Sequence, residues 1–329
     1  MTTSEMLAAF QKIAALVVGD ICLDYWCTYD PNLAEPSRET NIPRIGVMGS
    51  YVSAGAGGTV ANNLVALNAY RVATLGVFGD DGHGYELERA LKDQGVSLDL
   101  MVRDARLPTF TYTKLINSET GVEDMPRVDF IPFRPLPEQI ERQVLTRLES
   151  AIGGFDVVLV ADQAETEYGG VVTPNMRKLL HKLSKKHRGK VIWVDSRKRA
   201  DQFRGVTVKP NRDEADEACL RLFQAIDYQR LRQQLETKLL VVTRGPRGAI
   251  AVEPGRETEV EGFPVEKPVD ICGAGDSFSA AAALALAARA STVEAVRFGN
   301  LVASITVMKP GTGTASPAEI RAAEAKLRR

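Results

Sequence analysis

The sequence predicts an α/β fold: a central, mostly parallel sheet flanked by helices, with a small β-sheet lid beside it. Three observations carry this. Short β-branched runs recur along the chain, helical patterns lie between many of them, and two long stretches fit neither rhythm. The runs are AALVVG near 14–19, VATLGV near 72–77, DVVLVA near 156–161, VIWVD near 191–195 and LLVVT near 239–243. Between them lie VANNLVALNA, GYELERALKDQG and TPNMRKLLHKLSKKH, so strand and helix alternate as in βαβ units around a parallel sheet. The stretches 25–54 and roughly 98–131 lack helical periodicity and are too long for plain loops in a compact domain. The second holds TFTYTKLI, where Phe110 and Tyr112 alternate with threonines as in a half-exposed strand. Both stretches are assigned to the lid. Segment 254–270, rich in Pro and Gly, is expected to hold a turn and an edge strand.

Bulk composition excludes several function classes. A chain of 329 residues with 44% hydrophobic and 25% charged residues is an ordinary soluble protein, able to bury a large core. Its net charge of −1 offers no basic excess for nucleic acid. Cys22, Cys27, Cys219 and Cys272 form no C-x-x-C pair, and three histidines give a structural zinc site little to use, so no metal ligands are assigned. Reduced thiols fit a cytoplasmic setting. The first apolar run, IAALVVGDICL, is broken by Gly19 and Asp20, lacks a cleavage-site pattern and reads as a strand rather than a membrane span.

The stretch DICGAGDSFSAAAALALAARA, 270–290, sets Asp276 between a glycine-rich turn and a helix with no further charge until Arg289. Asp276 could simply cap the helix, contributing about 0.3–1 kcal/mol. Alternatively, Gly273, Ala274 and Gly275 could aim N–H groups at a phosphate. Taken alone, the stretch leaves both readings open. Dinucleotide and P-loop fingerprints are absent: GAGGTV at 55–60 and GAGDSF at 273–278 both fail the G-x-G-x-x-G pattern. A nicotinamide-binding oxidoreductase is thereby disfavoured. No H-R-D kinase loop or G-x-S-x-G elbow occurs either.

Six segments, taken together, decide between the readings. DICGAGDSF resembles the D-x-x-G-A-G-D motif of the ribokinase/PfkB carbohydrate kinases. SAGAGGTVANNLVALNA (53–69) and GVFGDDGHGYELERALKDQGV (76–96) resemble the family's first glycine-rich motif and the segment after it. TVKPNRDEA (207–215), VVTRGPRGAI (241–250) and GNLVASITVMKPGT (299–312) resemble its nucleotide-side elements. The matches keep the family's order from about Ala15 to Ser316. The resemblance implies a single ribokinase-like kinase domain over 1–329. It also implies ATP-dependent transfer of the γ-phosphate to a sugar or sugar-phosphate hydroxyl.

In that reading Asp276 takes the hydroxyl proton, a role worth about 10²–10⁴-fold, and Gly273, Ala274 and Gly275 receive the developing negative charge. The resemblance places ATP and its Mg2+ against Asn211, Glu214, Thr243, Gly245 and Asn300, and leaves room for a monovalent cation. Asn211 and Glu214 read equally well as an Asx turn capping a helix. Asp24, Gly57, Gly58, Thr59, Asn63 and Arg127 match its acceptor side. Asp20 follows the first strand as Asp24 does, Asp129 resembles with Arg127 an R-x-D element of the lid region, and Asp195 ends a strand, the usual place for functional groups in parallel sheets. Departures fall on that side. Ala56 replaces the second glycine of the first motif, Thr59 stands where an asparagine is usual, and the 162–170 loop lacks the usual glycine–lysine.

Within the family the resemblance is strongest to kinases that phosphorylate D-glycero-D-manno-heptose 7-phosphate at its anomeric hydroxyl. It rests on LVVGDICLDYW, VANNLVALNA and FRGVTVKPNRDEA. A phosphorylated acceptor needs cations, for which Arg38, Arg44, Lys114 and Arg127 are the candidates. Another sugar or nucleoside kinase, or a sugar-binding regulator without turnover, are the alternatives. A homodimer joined through the lid is expected, on the premise that Phe110 and Tyr112 lie at an exposed sheet edge.

Overall fold

A computed structural model describes residues 1–166 and 169–327. Eight strands form the central sheet. From edge to edge they are Arg256–Val260, Ala249–Glu253, Leu240–Thr243, Thr207–Val208, Val191–Ser196, Val157–Asp162, Ala14–Gly19 and Arg71–Leu75. The last six pair in parallel, and the first two join as an antiparallel hairpin. The expected edge strand in 254–270 is the outermost, Arg256–Val260.

Alternation of side chains along each strand makes the sheet a partition between two cores. In Ala14–Gly19, Ala15 and Val17 enter one core, while Ala14, Leu16 and Val18 enter the other. Both faces being covered, every residue of this strand and of Val157–Asp162 is buried, which is why these runs are apolar up to the terminal Asp162. One core is closed by helices Gly57–Ala66, Gly82–Asp93, Ala274–Ala287 and Thr292–Thr306, the other by Glu138–Ala151, Pro174–Lys186 and Arg212–Phe223. The alanine run after Asp276 now has its reason. Ala280, Ala281, Ala282, Ala283 and Ala285 are fully buried, and their small side chains let this helix lie deep against the sheet and its neighbours.

The run VATLGV is split. Arg71–Leu75 belongs to the central sheet, whereas Val77–Gly79 pairs with Val102–Asp104 in a separate two-stranded ribbon. The break falls at Gly76, where a Cβ would lie 2.6 Å from the Gly19 carbonyl oxygen and 2.9 Å from Ile21 Cγ1.

A second sheet of four strands runs Val47–Ala56, Ile21–Tyr29, Thr111–Asn117, Val128–Phe130. It draws on both stretches that lacked helical periodicity, but begins earlier, at Ile21. The premise about Phe110 and Tyr112 is corrected here. Phe110 is buried, and Tyr112 lies on an interior strand paired on both sides. The edges are Val47–Ala56 and Val128–Phe130, and the exposed apolar side chains Val47, Met48, Val128 and Phe130 are theirs. No described helix is long and apolar enough to cross a membrane.

Candidate active site

The GAGD turn opens the helix Ala274–Ala287 with Gly273 as its N-cap at φ +77°, a conformation that suits glycine. The Ala274 N–H is committed to the Ile271 carbonyl, and Ser277 N–H to Gly273. Helix geometry leaves the first-turn N–H groups of Gly275 and Asp276 without intrahelical acceptors. Asp270 braces the turn by accepting the N–H groups of Cys272, at 2.8 Å, and Gly311, at 3.1 Å.

Two strand ends bring charge beneath this turn. Asp195 lies one residue before the end of Val191–Ser196, and Lys209 follows the short neighbouring strand. Their carboxylate and ammonium meet at 2.9 Å, with Lys209 almost wholly buried. A Cβ on Gly275 would lie only 3.6 Å from Lys209 Nζ, so the ammonium sits directly against the turn. Burial, then the Asp195 charge, pushes the Asp276 carboxyl up to about 8, against the pull of Lys209 and Arg197. Burial also raises Glu214, with Asp195 adding to the shift.

Across from the turn, the second sheet carries a polar row. Asp24 pairs with Ser53 on one side and Tyr112 on the other, and Tyr112 pairs with Asp129. Partners in register point to the same face. Burial drives the Asp24 carboxyl up to about 6, opposed by Lys114, Arg127 and Arg197. Gly55 makes this possible, since a Cβ there would meet the Asp24 carboxylate at 2.5 Å. Two residues along, Tyr51 and Trp26 stack with ring centroids 4.8 Å apart, and Lys114 Nζ lies 5.8 Å from the Trp26 ring. Arg127 lies over Tyr112 at 4.9 Å and pairs with Asp129 at 2.9 Å.

The remaining expected residues divide by location. Asn211 and Glu214 form a reciprocal capping box on Arg212–Phe223, so the capping geometry is real, while Glu214 also stands in the field of Asp195 and Lys209. Thr243 bridges to Asn211, and its N–H donates to the Pro210 carbonyl; Gly245, at φ +59°, starts the turn beyond. Asn300 is buried and donates to the Val260 and Glu261 carbonyls. Gly57 and Gly58 serve close packing, because Cβ atoms there would meet Ile21 Cδ1 and Ala54 Cβ, each at 2.5 Å. The Thr59 hydroxyl donates to the Ala54 carbonyl at 3.3 Å, and its methyl lies beside Gly273. Asn63 is fully buried, donating to the Thr59 and Gly313 carbonyls. Glu167 and Tyr168 of the altered 162–170 loop lie outside the described residues. Arg38 and Arg44 project from the exposed segment between the first two lid strands, and Arg44 is paired with Glu35 at 2.9 Å.

A model of the pfkB family of carbohydrate kinases matches residues 15–319. The chain belongs to this family. It is therefore a carbohydrate kinase, a phosphotransferase with a sugar hydroxyl as acceptor, on a ribokinase-like fold. The Bifunctional protein HldE of Trichlorobacter lovleyi is 31% identical over 319 residues, which cover 94% of this chain and 62% of that one. Its counterpart in Bradyrhizobium diazoefficiens is 32% identical over 93% of this chain and 62% of its own length. The chain thus spans less than two thirds of these relatives. Among solved structures, phosphofructokinase-2 from Escherichia coli in complex with potassium superposes with a TM-score of 0.74 at 22% identity, covering 96% of this chain and all of that one. Arabidopsis thaliana ribokinase complexed with ribose and ATP gives 0.67 at 21% identity, over 94% and 98% of the two chains.

For this pfkB-family chain, sequence reasoning missed Lys209, Arg197 and Gly55. Lys209 had a signal in standing two residues before Asn211, and Arg197 in following Asp195 at a strand end. Gly55 had none, because the Asp24 carboxylate it packs against lies 31 positions away on the adjacent strand.

Proposed function

We propose that the chain transfers the γ-phosphate of ATP, supplied with Mg2+, to a hydroxyl of a phosphorylated sugar, with Asp276 as general base. The observation that carries this is the placement of the Asp276 carboxyl at a helix N-terminus, above the Lys209 ammonium and opposite Asp24. Asp276 accepts the hydroxyl proton while the acceptor oxygen bonds to the γ-phosphorus. The bond from phosphorus to the β–γ bridging oxygen breaks, and ADP leaves. The Gly275 and Asp276 N–H groups and Lys209 offset the charge that gathers on the phosphoryl oxygens. Mg2+ would neutralise the phosphates further, with Glu214 the carboxylate that the family resemblance places toward it. Asn211, Thr243 and Gly245 line the same side, and Asn300 lies beyond them.

On the acceptor side, Asp24 anchors sugar hydroxyls and the cations take the charged end of the substrate. Lys114 and Arg127 act on Asp24, and Arg197 acts on both carboxylates. A heptose 7-phosphate, phosphorylated at C1, is the leading acceptor, supported by the similarity to the HldE proteins. Comparing kcat/KM for D-glycero-D-manno-heptose 7-phosphate, fructose 6-phosphate and ribose with MgATP tests this. The phosphate esters should be preferred; a preference for ribose refutes the acceptor class. We also propose a homodimer formed through the second sheet.

A further inference from the structure

We infer that Asp20 is a positioning residue for the acceptor site, acting through the loop after Val157–Asp162 and through Arg197. The inference rests on the anionic-acceptor reading above. Asp20 is only 2% exposed, and its carboxylate is taken up by backbone N–H groups. Its Oδ2 accepts the N–H groups of Gln163, at 2.8 Å, and Ala164, at 2.9 Å; its Oδ1 accepts that of Val171 at 2.8 Å. Both described arms of the loop, 163–166 and 169–171, therefore hang on one side chain. Gly170, at φ +100°, lets the chain close over it, since a Cβ there would lie 3.0 Å from Asp20 Oδ1.

The loop is held on its carbonyl side as well. Arg199, ion-paired with Asp162 at 2.7 Å, donates to the Ala164 carbonyl at 2.6 Å and the Thr166 carbonyl at 3.2 Å. A carboxylate takes the loop's N–H groups while a guanidinium takes its carbonyls. What the arm 163–166 presents is a cradle for Arg197. Gln163 Oε1 accepts from Arg197 Nε at 2.8 Å, and Glu165 Oε1 accepts from Nη1 at 2.6 Å. Its charge also acts on Asp24, Asp276, Tyr112 and Glu214. Arg197 follows Asp195 by two positions at the strand end beneath the catalytic turn, and its charge reaches both the acceptor row and that turn. Two of its nitrogens are fixed by the loop, and Asp20 fixes the loop. Long side chains lose affinity when free to wander, so a pre-set guanidinium binds an anion more tightly.

A mutant cycle in the full chain tests the inference, with fructose 6-phosphate and D-glycero-D-manno-heptose 7-phosphate as acceptors. Asp20→Asn and Arg197→Met should each raise acceptor KM by about tenfold or more while changing the KM for ATP less than about threefold. Because one residue acts through the other, Asp20→Asn should add nothing in the Arg197→Met background. Effects that multiply, or an equal rise in KM for ATP, overturn the inference. Should Asp20→Asn not fold, Gly170→Ala strains the same loop and should give the same KM pattern. A second readout needs no acceptor. The NMR signal of the Arg197 Nε–H, held by Gln163, should broaden or shift in Asp20→Asn, and an unchanged signal refutes the coupling. Failure of both phosphate esters as substrates defeats the acceptor reading alone, and the Nε–H signal then decides the role of Asp20.

Discussion

The ammonium of Lys209 lies 2.9 Å from Asp195 Oδ2, and this buried pair sits against the turn that carries Asp276. Three carboxylates, those of Asp195, Glu214 and Asp276, share the single charge of Lys209. Removing one partner of a buried pair leaves the other uncompensated, a loss of about 3–5 kcal/mol. Lys209→Met should therefore lower Tm sharply, and Lys209→Met combined with Asp195→Asn should recover much of it. Thermal melts of the two single variants and the double variant check this. Losses that simply add in the double variant would show that the pair is not coupled.

Asp276 gives a pH prediction with a defined sign. Its carboxyl is raised from 3.8 to about 8 by burial and by Asp195, so it is mostly protonated at neutral pH in the free protein. A base must be ionised, so kcat/KM for the acceptor should climb about tenfold per pH unit toward pH 8 and then level off. Asp195→Asn removes the nearest like charge and should move the inflection to lower pH. Asp276→Asn should abolish the profile and cut kcat by about 10²–10⁴-fold. Stability runs the opposite way. A carboxyl whose folded pKa lies above its unfolded value favours the folded state fully only below the unfolded value, and that contribution fades as pH rises through about 8. Asp276→Asn should thus melt above wild type at pH 9 and close to it at pH 4. A flat kcat/KM profile from pH 6 to 9 removes Asp276 from the base role.

How much of this was legible in the sequence depends on the range of each interaction. Strands such as Val157–Asp162 declared themselves because burial on both faces demands a continuous apolar run. The GAGD turn was legible because one short segment holds both the anion-facing N–H groups and the base. Asp195 was legible as a carboxylate at a strand end, but Arg197 and Lys209 follow two neighbouring strands, and only their parallel register brings them together. Phe110 and Tyr112 misled for a physical reason. An interior strand whose one face lines a cleft alternates polar and apolar residues just as an edge strand does, so pattern alone does not locate the edge.

Ala56 is the departure whose consequence is plainest. It stands where the family has glycine and adopts φ +51°, ψ −120°, a region costing a residue with a Cβ about 1–3 kcal/mol. It directly precedes the helix Gly57–Ala66 and gives that helix no side-chain cap. Ala56→Gly relieves the strain but adds about 0.4–1 kcal/mol of unfolded-chain entropy, leaving a net gain of about 1 kcal/mol. Tm should rise by about 2 °C in a calorimetric scan. A lower Tm in the glycine variant would show that the alanine is unstrained.

The last prediction concerns assembly through the second sheet. Its outer strands expose Val47 at 50%, Met48 at 56%, Val128 at 55% and Phe130 at 43%, with Phe133 at 63% just beyond. Apolar side chains gathered on sheet edges invite pairing with another copy, by strand addition or by face packing. Val128 and Phe130 flank Asp129, the register partner of Tyr112, so they face away from Asp24 and Tyr112, and joining two copies there would also stiffen the acceptor row. Light scattering at micromolar concentration should give about twice the chain mass. Val128→Asp with Phe130→Asp should return the mass to one chain and raise acceptor KM more than ATP KM. A monomeric wild type refutes the dimer. A dimer that survives the double substitution places the interface elsewhere on the molecule.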